Sequence, residues 1–120
     1  MKKIASFAFI AVLLSNAASA QKGGLKTDTI STPTIQCEMC KDRLTEYLGR
    51  IDGMNLVKVD LKKKRVITKY HMDRTNVEFI KASIANAGYD AAEIAANPDS
   101  YKMLPKCCKK TEDGGGMPKH

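Results

Sequence analysis

Four cysteines hold most of the chemistry open to this chain of 120 residues, and they fall into two pairs, Cys37-Glu38-Met39-Cys40 and Cys107-Cys108. The first pair has the C-x-x-C spacing that lets two thiolates share one soft ion such as Cu(I), whereas a closed structural Zn(II) site normally takes four ligands. A structural or redox disulfide is the other use of such a pair, but a cross-link across so short a loop contributes little entropy. Glu38 and Met39 offer a carboxylate and a thioether within the loop, although residues between paired cysteines more often face solvent. For Cys107-Cys108 three outcomes stay open: a vicinal disulfide, free thiols, or auxiliary soft ligands for the first pair. Side chains of adjacent residues in an extended segment point to opposite sides, so both sulfurs reach one ion only if the backbone turns, which Pro105 favours.

The other candidate groups argue for less. His71 and His120 have no ligand spacing between them and default to surface histidines. Lys62-Lys63-Lys64-Arg65 reads as the solvated charge of a turn, and the strand after it, with Val66, Ile67 and Thr68, has no aromatic platform for bases, so no nucleic-acid partner is expected. No Ser/His/Asp or paired-carboxylate constellation has a credible setting, and the chain is read as a non-enzyme. A thioredoxin-like enzyme would order its elements differently and carry a Trp before the cysteines, in a chain that has none.

The elements that must position the cysteines follow from periodicity. Thr29 to Gln36 is rich in β-branched residues and reads as a strand interrupted at Pro33. Cys40, Leu44, Tyr47, Leu48 and Ile51 lie on one helical face, and Asp52-Gly53 ends that helix. The first cysteine pair therefore sits where a strand hands over to a helix, where unpaired N–H groups and the helix dipole favour thiolate over thiol. Val57, Val59 and Leu61 alternate with polar residues, Lys62 to Lys64 turn, and Val66, Thr68 and Tyr70 lie on the return strand of a hairpin. Thr75 and Glu78 have capping-box spacing ahead of the stripe Val77, Ile80, Ile84 and Ala87, with Gly88 as the stop. Asp90 to Ile94 is the weakest segment and reads as a last short strand. The expected class is α+β, a ferredoxin-like βαββαβ sandwich with two helices on one face of an antiparallel sheet.

Residues 1–20 read as a cleaved signal peptide: a basic Lys2-Lys3 start, an apolar run from Ile4 to Leu14 and Ala18-Ser19-Ala20 before the cut. The run is too short to be a membrane anchor, so no stable membrane insertion is expected after cleavage and the location is periplasmic or otherwise exported. Removing Lys2 and Lys3 leaves a moderately basic chain, since the full sequence has a formal charge of +7. Residues 21–27 read as a flexible leader, 28–94 as the folded domain, 95–110 as a C-terminal extension with its cysteine pair, and 111–120 as a disordered tail with three consecutive glycines. The twelve residues Ala95 to Lys106 could span about 40 Å, enough to bring Cys107 and Cys108 back to the first pair after a turn at Asn97-Pro98.

With the cysteine pair at the start of a helix, Val57-Lys58-Val59-Asp60-Leu61, a return strand reaching Tyr70 and Ala87-Gly88-Tyr89-Asp90, residues 28 to 94 resemble the heavy-metal-associated domain family. That family includes copper chaperones, domains of heavy-metal ATPases and the periplasmic mercury-binding protein. The resemblance implies one bound Cu(I) or Hg(II), with Zn(II) less suited, held by Cys37 and Cys40. It places Tyr89 beside the metal, and Ile35 under the loop in the space of the family's Met. It also implies a carrier, chaperone or scavenger acting by thiolate exchange, with a membrane metal transporter or efflux protein as partner. A periplasmic thiol-disulfide redox protein using the same pair is the alternative.

Overall fold

The computed structural model describes residues 24–116. Three antiparallel strands, β1 (Leu25–Ser31), β2 (Met54–Asp60) and β3 (Arg65–His71), pair in the order β1-β3-β2. β1 runs in unbroken register against β3, from Leu25 opposite His71 to Ser31 opposite Arg65. β2 pairs with the other edge of β3, with an irregularity between Met54 and Leu56. Val66, Thr68 and Tyr70 are buried and their β3 neighbours only partly so, which is the period-2 signature of a sheet covered on one face. The buried side chains of α1 (Glu38–Gly49) and α2 (Val77–Ala87) share one core with that face: Cys40, Leu44 and Leu48 from α1, and Ile80, Ile84 and Ala87 from α2.

Several elements differ from expectation. The first strand lies earlier than Thr29 to Gln36 and takes in Leu25 to Thr27, residues assigned to the flexible leader. Thr32 to Ile35 is a turn instead, closed by Ile35 N–H donating to Thr32 O at 3.1 Å. Pro33 has no N–H to give to a ladder, so a turn costs nothing that a strand would have gained there. Tyr47, placed on the buried face of α1, is largely exposed. The cap of α2 is Asn76 rather than Thr75, its side-chain oxygen accepting from Phe79 N at 2.9 Å.

The last strand does not join the sheet. Asp90 to Ile94 forms an isolated bridge between Ala91 and Ile94, and its one link to β1 is Ala92 N–H donating to Ser31 O at 2.8 Å. Ala92 lies in the left-handed region at φ 54°, which curls the segment back on itself where a strand would extend. The α+β class and the βαββα order stand, with three strands in place of four among the described residues. The chain then continues through α3 (Pro98–Lys102) and two 3-10 turns, Lys106–Cys108 and Thr111–Asp113. The start of the expected disordered tail is thus ordered as far as Gly116, whose N–H donates to Lys106 O at 3.0 Å. Residues 1–20, read from sequence as a signal peptide, and residues 117–120, His120 among them, lie outside the described residues. Among the described residues, no helix is long and apolar enough to cross a membrane.

Tyr70 ties β3 to β1: its buried hydroxyl donates to Asp28 Oδ2 at 2.6 Å. Burial, with the Asp28 bond and charge adding to it, pushes the phenol up to about 12 from its usual 10.0. A folded pKa above the unfolded one means that this stabilisation is fully present below the unfolded value and is lost as the pH rises through about 12. Thermal melts across the alkaline range should therefore fall less steeply for Tyr70→Phe than for the parent. Identical pH slopes would sink the assignment.

Candidate metal centre

Cys37 is the N-cap of α1, with extended backbone at φ −143° and ψ 170°, and its carbonyl accepts the first helical bond from Lys41 N at 3.0 Å. Its side chain makes no capping bond, so the sulfur is not committed to the helix. Cys40 lies one turn on, fully buried against the core with Leu44 and Leu48. The two sulfurs are 2.8 Å apart.

The preceding loop is pinned from several sides. Thr32 N–H donates to Lys64 O at 2.8 Å, Lys64 Nζ donates to Ile35 O at 2.7 Å, and Asp90 N–H donates to Thr34 Oγ1 at 3.0 Å. Ile35 is fully buried in the core cluster that contains both cysteines. Lys64, read from sequence as solvated charge, thus fixes the peptide two residues before Cys37, from a left-handed backbone position at φ 52°. Only its place at the end of a tight turn could have hinted at this.

The C-terminal extension returns to the same spot. Cys108 forms a disulfide with Cys40, while Cys37 and Cys107 are free. The vicinal disulfide weighed for Cys107-Cys108 is not what forms, because the 3-10 turn aims Cys108 inward at Cys40. Cys37 Sγ is 3.2 Å from Cys107 Sγ and 3.9 Å from Cys108 Sγ, and the four sulfurs all lie within 4.8 Å of one another. The hydrogen bond with Cys37, followed by burial, raises the Cys107 thiol above its ordinary range.

Of the remaining candidates, Met39 is half-exposed with its sulfur 3.8 Å from Cys107 Sγ, and Glu38 faces solvent and pairs with Lys41 at 3.8 Å. Tyr89 is fully buried, and its hydroxyl has no hydrogen-bond partner. Burial pushes that phenol up against the opposing pull of Arg43, and the charges of Cys37 and Cys107 add to the rise. His71 ends β3 and joins no cluster of sulfur ligands.

Sequence reasoning did not find what holds the extension in place. Asn97 caps α3 by accepting from Asp99 N and Ser100 N. Tyr101 Oη accepts from Lys110 N at 2.8 Å and donates to Asp113 Oδ2 at 2.6 Å. Leu104 is buried over Gly88, and Gln36 Nε2 donates to Lys109 O at 2.6 Å, next to the cysteine loop. Asn97-Pro98 was the available signal, since Asn before Pro opens a helix as readily as a turn.

The description "Heavy-metal-associated domain" belongs to a family model that matches residues 29–90. A mercuric transport protein periplasmic component from Shewanella putrefaciens is 27% identical over 89 residues, 74% of this chain and 93% of that protein. A copper chaperone, CopZ, from Enterococcus hirae is 34% identical over 64 residues, 53% of this chain and 93% of its own. Oxidised MerP from Ralstonia metallidurans CH34 superimposes with a TM-score of 0.55 over 57% of this chain and 96% of that one, at 22% identity, which supports the fold.

Proposed function

The chain belongs to the heavy-metal-associated domain family, and on that premise we propose that it is an exported carrier or scavenger that holds one soft ion, Cu(I) or Hg(II), between Cys37 and Cys40 and passes it on by thiolate exchange. The observation that carries this reading is the placement of two sulfurs 2.8 Å apart at the start of α1, on a loop fixed by Lys64 and Asp90. Soft d10 ions accept few, strongly bound sulfur ligands, and ligand exchange between thiolates moves them without a free ion. Cys40 is available only after its disulfide with Cys108 is reduced, a step that takes two electrons and two protons from a dithiol donor and leaves that donor as its own disulfide. The signal-like residues 1–20 and the likeness to a periplasmic mercuric transport component support export, with a membrane metal transporter or efflux protein as recipient.

Native mass spectrometry of protein from the exported fraction tests the reading. The expected result is a chain beginning at Gln21 that after reduction takes up one Cu(I) or Hg(II) and holds it more tightly than does the protein in which Cys40 and Cys108 are joined. Uptake that ignores the redox state, or no uptake, would overturn it.

One observation favours a second reading, thiol-disulfide exchange. The free Cys37 sulfur sits 2.8 Å from Cys40, so a Cys37 thiolate could attack Cys40, forming Cys37–Cys40 and releasing Cys108 as thiolate. Dithiol-driven reduction of insulin separates the two readings. Acceleration above the uncatalysed rate favours the redox protein, and its absence favours the carrier.

A further inference from the structure

We propose that the C-terminal arm, residues 97–110, completes a four-sulfur site: with the disulfide reduced, Cys107 and Cys108 join Cys37 and Cys40 around one ion. The inference rests on the reading that Cys37 and Cys40 bind the metal, and it adds two ligands from outside the matched domain, which ends at residue 90.

Geometry is the first support. A tetrahedral ion with metal–sulfur bonds of about 2.3 Å has sulfur–sulfur edges of about 3.8 Å. Cys37 lies 3.2 Å from Cys107 and 3.9 Å from Cys108, and no two of the four sulfurs are more than 4.8 Å apart. Small rotations of side chains that are already neighbours would open the cluster around an ion. The backbone at the pair is suited to this as well. Successive residues of a 3-10 helix are about 120° apart around its axis, against the opposite faces of a strand, so both sulfurs can address one point. Pro105 precedes the turn at φ −57°, and Cys108 N–H donates to Pro105 O at 2.8 Å.

The arm is also held in place by contacts that do not involve sulfur. Leu104 sits over Gly88, Tyr101 closes the segment through Lys110 and Asp113, and Lys109 O receives Gln36 Nε2 from the cysteine loop itself. Reduction of the disulfide therefore leaves the pair docked. Lys106, Lys109 and Lys110 flank the pair in sequence, and positive charge there suits four thiolates around a divalent ion.

Four sulfurs change which ions suit the site. Cd(II) and Zn(II), poorly served by two thiolates, become favourable, and release slows because four ligands must be exchanged in place of two. The site is then one for storage or scavenging of soft and borderline divalent ions.

Cd(II) is the probe. The reduced parent, the Cys107→Ser/Cys108→Ser double variant and the Leu104→Asp variant, which undocks the arm and keeps every sulfur, are each loaded with one equivalent. Sulfur neighbours are then counted by X-ray absorption, and affinity is measured by chelator competition. The expected count is four in the parent and two in both variants, with affinity lower by at least about 100-fold. Two or three sulfurs in the parent, or an unchanged count in the double variant, overturns the four-sulfur site and leaves the Cys37/Cys40 carrier standing. Failure of that carrier shows separately, as a Cu(I) affinity of the reduced protein that is unchanged in a Cys37→Ser/Cys40→Ser variant.

Discussion

Cys37→Ser and Cys40→Ser each lower the Cu(I) affinity of the reduced protein by at least about a thousandfold, because a hydroxyl is a poor ligand for a soft ion and each change removes half of the minimal pair. Their effects on stability should diverge, and the divergence separates loss of a ligand from loss of the fold. Cys37 is an N-cap whose side chain makes no capping bond, so serine there brings the bond that is missing and holds or raises stability by up to about 1 kcal/mol. Cys40 is fully buried in the core, where an unpartnered hydroxyl costs about 1–3 kcal/mol. Under oxidising conditions Cys40→Ser also removes a disulfide with a sequence separation of 68, worth on the order of 4 kcal/mol by chain entropy. Competition against a chromogenic Cu(I) chelator, beside urea melts of both variants, reads all of this. Unchanged Cu(I) affinity in both single variants would sink the assignment of the site.

That the place of the cysteine pair at the start of α1 is legible in sequence has a simple cause: Cys37 and Cys40 lie three residues apart at a boundary that helical periodicity marks, so local information suffices. The same holds for the hairpin of β2 and β3, whose alternation is set by neighbours. Three things escaped because their causes are distant in sequence. Lys64 has the composition of a solvated turn, and only the fold brings its ammonium to Ile35 O, 29 residues away. The segment Asp90 to Ile94, the weakest strand of the sequence reading, is curled by a left-handed Ala92 whose N–H goes to Ser31 O far back in the chain, and no local pattern announces that at an alanine. The destination of Cys107-Cys108 depends on Leu104 meeting Gly88 and on Gln36 meeting Lys109, pairings that chain length permits and periodicity cannot express. β1 was displaced for a different reason: β-branched composition ran on through Thr32 and Thr34, while Pro33 decided where the ladder ends.

Gly88 is where arm and domain depend on one another, and Gly88→Ala should be among the most damaging small changes in the chain. At φ +109° the residue ends α2 in a conformation that costs an L-residue roughly 1–2 kcal/mol. A Cβ there would stand 2.9 Å from Leu104 Cδ2 and 3.0 Å from its Cγ, so Leu104 must leave its seat and surrender part of the roughly 1.5–3 kcal/mol that burying such a side chain contributes. Together these amount to about 2–3 kcal/mol, a fall in melting temperature of roughly 10 °C or more for a domain of this size. The two parts can be told apart by a double-mutant cycle with Leu104→Ala, which empties the space that the new methyl needs. If the contact matters, the double variant is more stable than the sum of the single changes allows, whereas strict additivity would mean that backbone strain alone is responsible. The arm supplies a second readout. With Leu104 displaced, Cys108 spends less time beside Cys40, so after full reduction Gly88→Ala should reform the Cys40–Cys108 disulfide more slowly than the parent under the same oxidant. Equal rates would show that the Leu104–Gly88 seat does not position the cysteine pair.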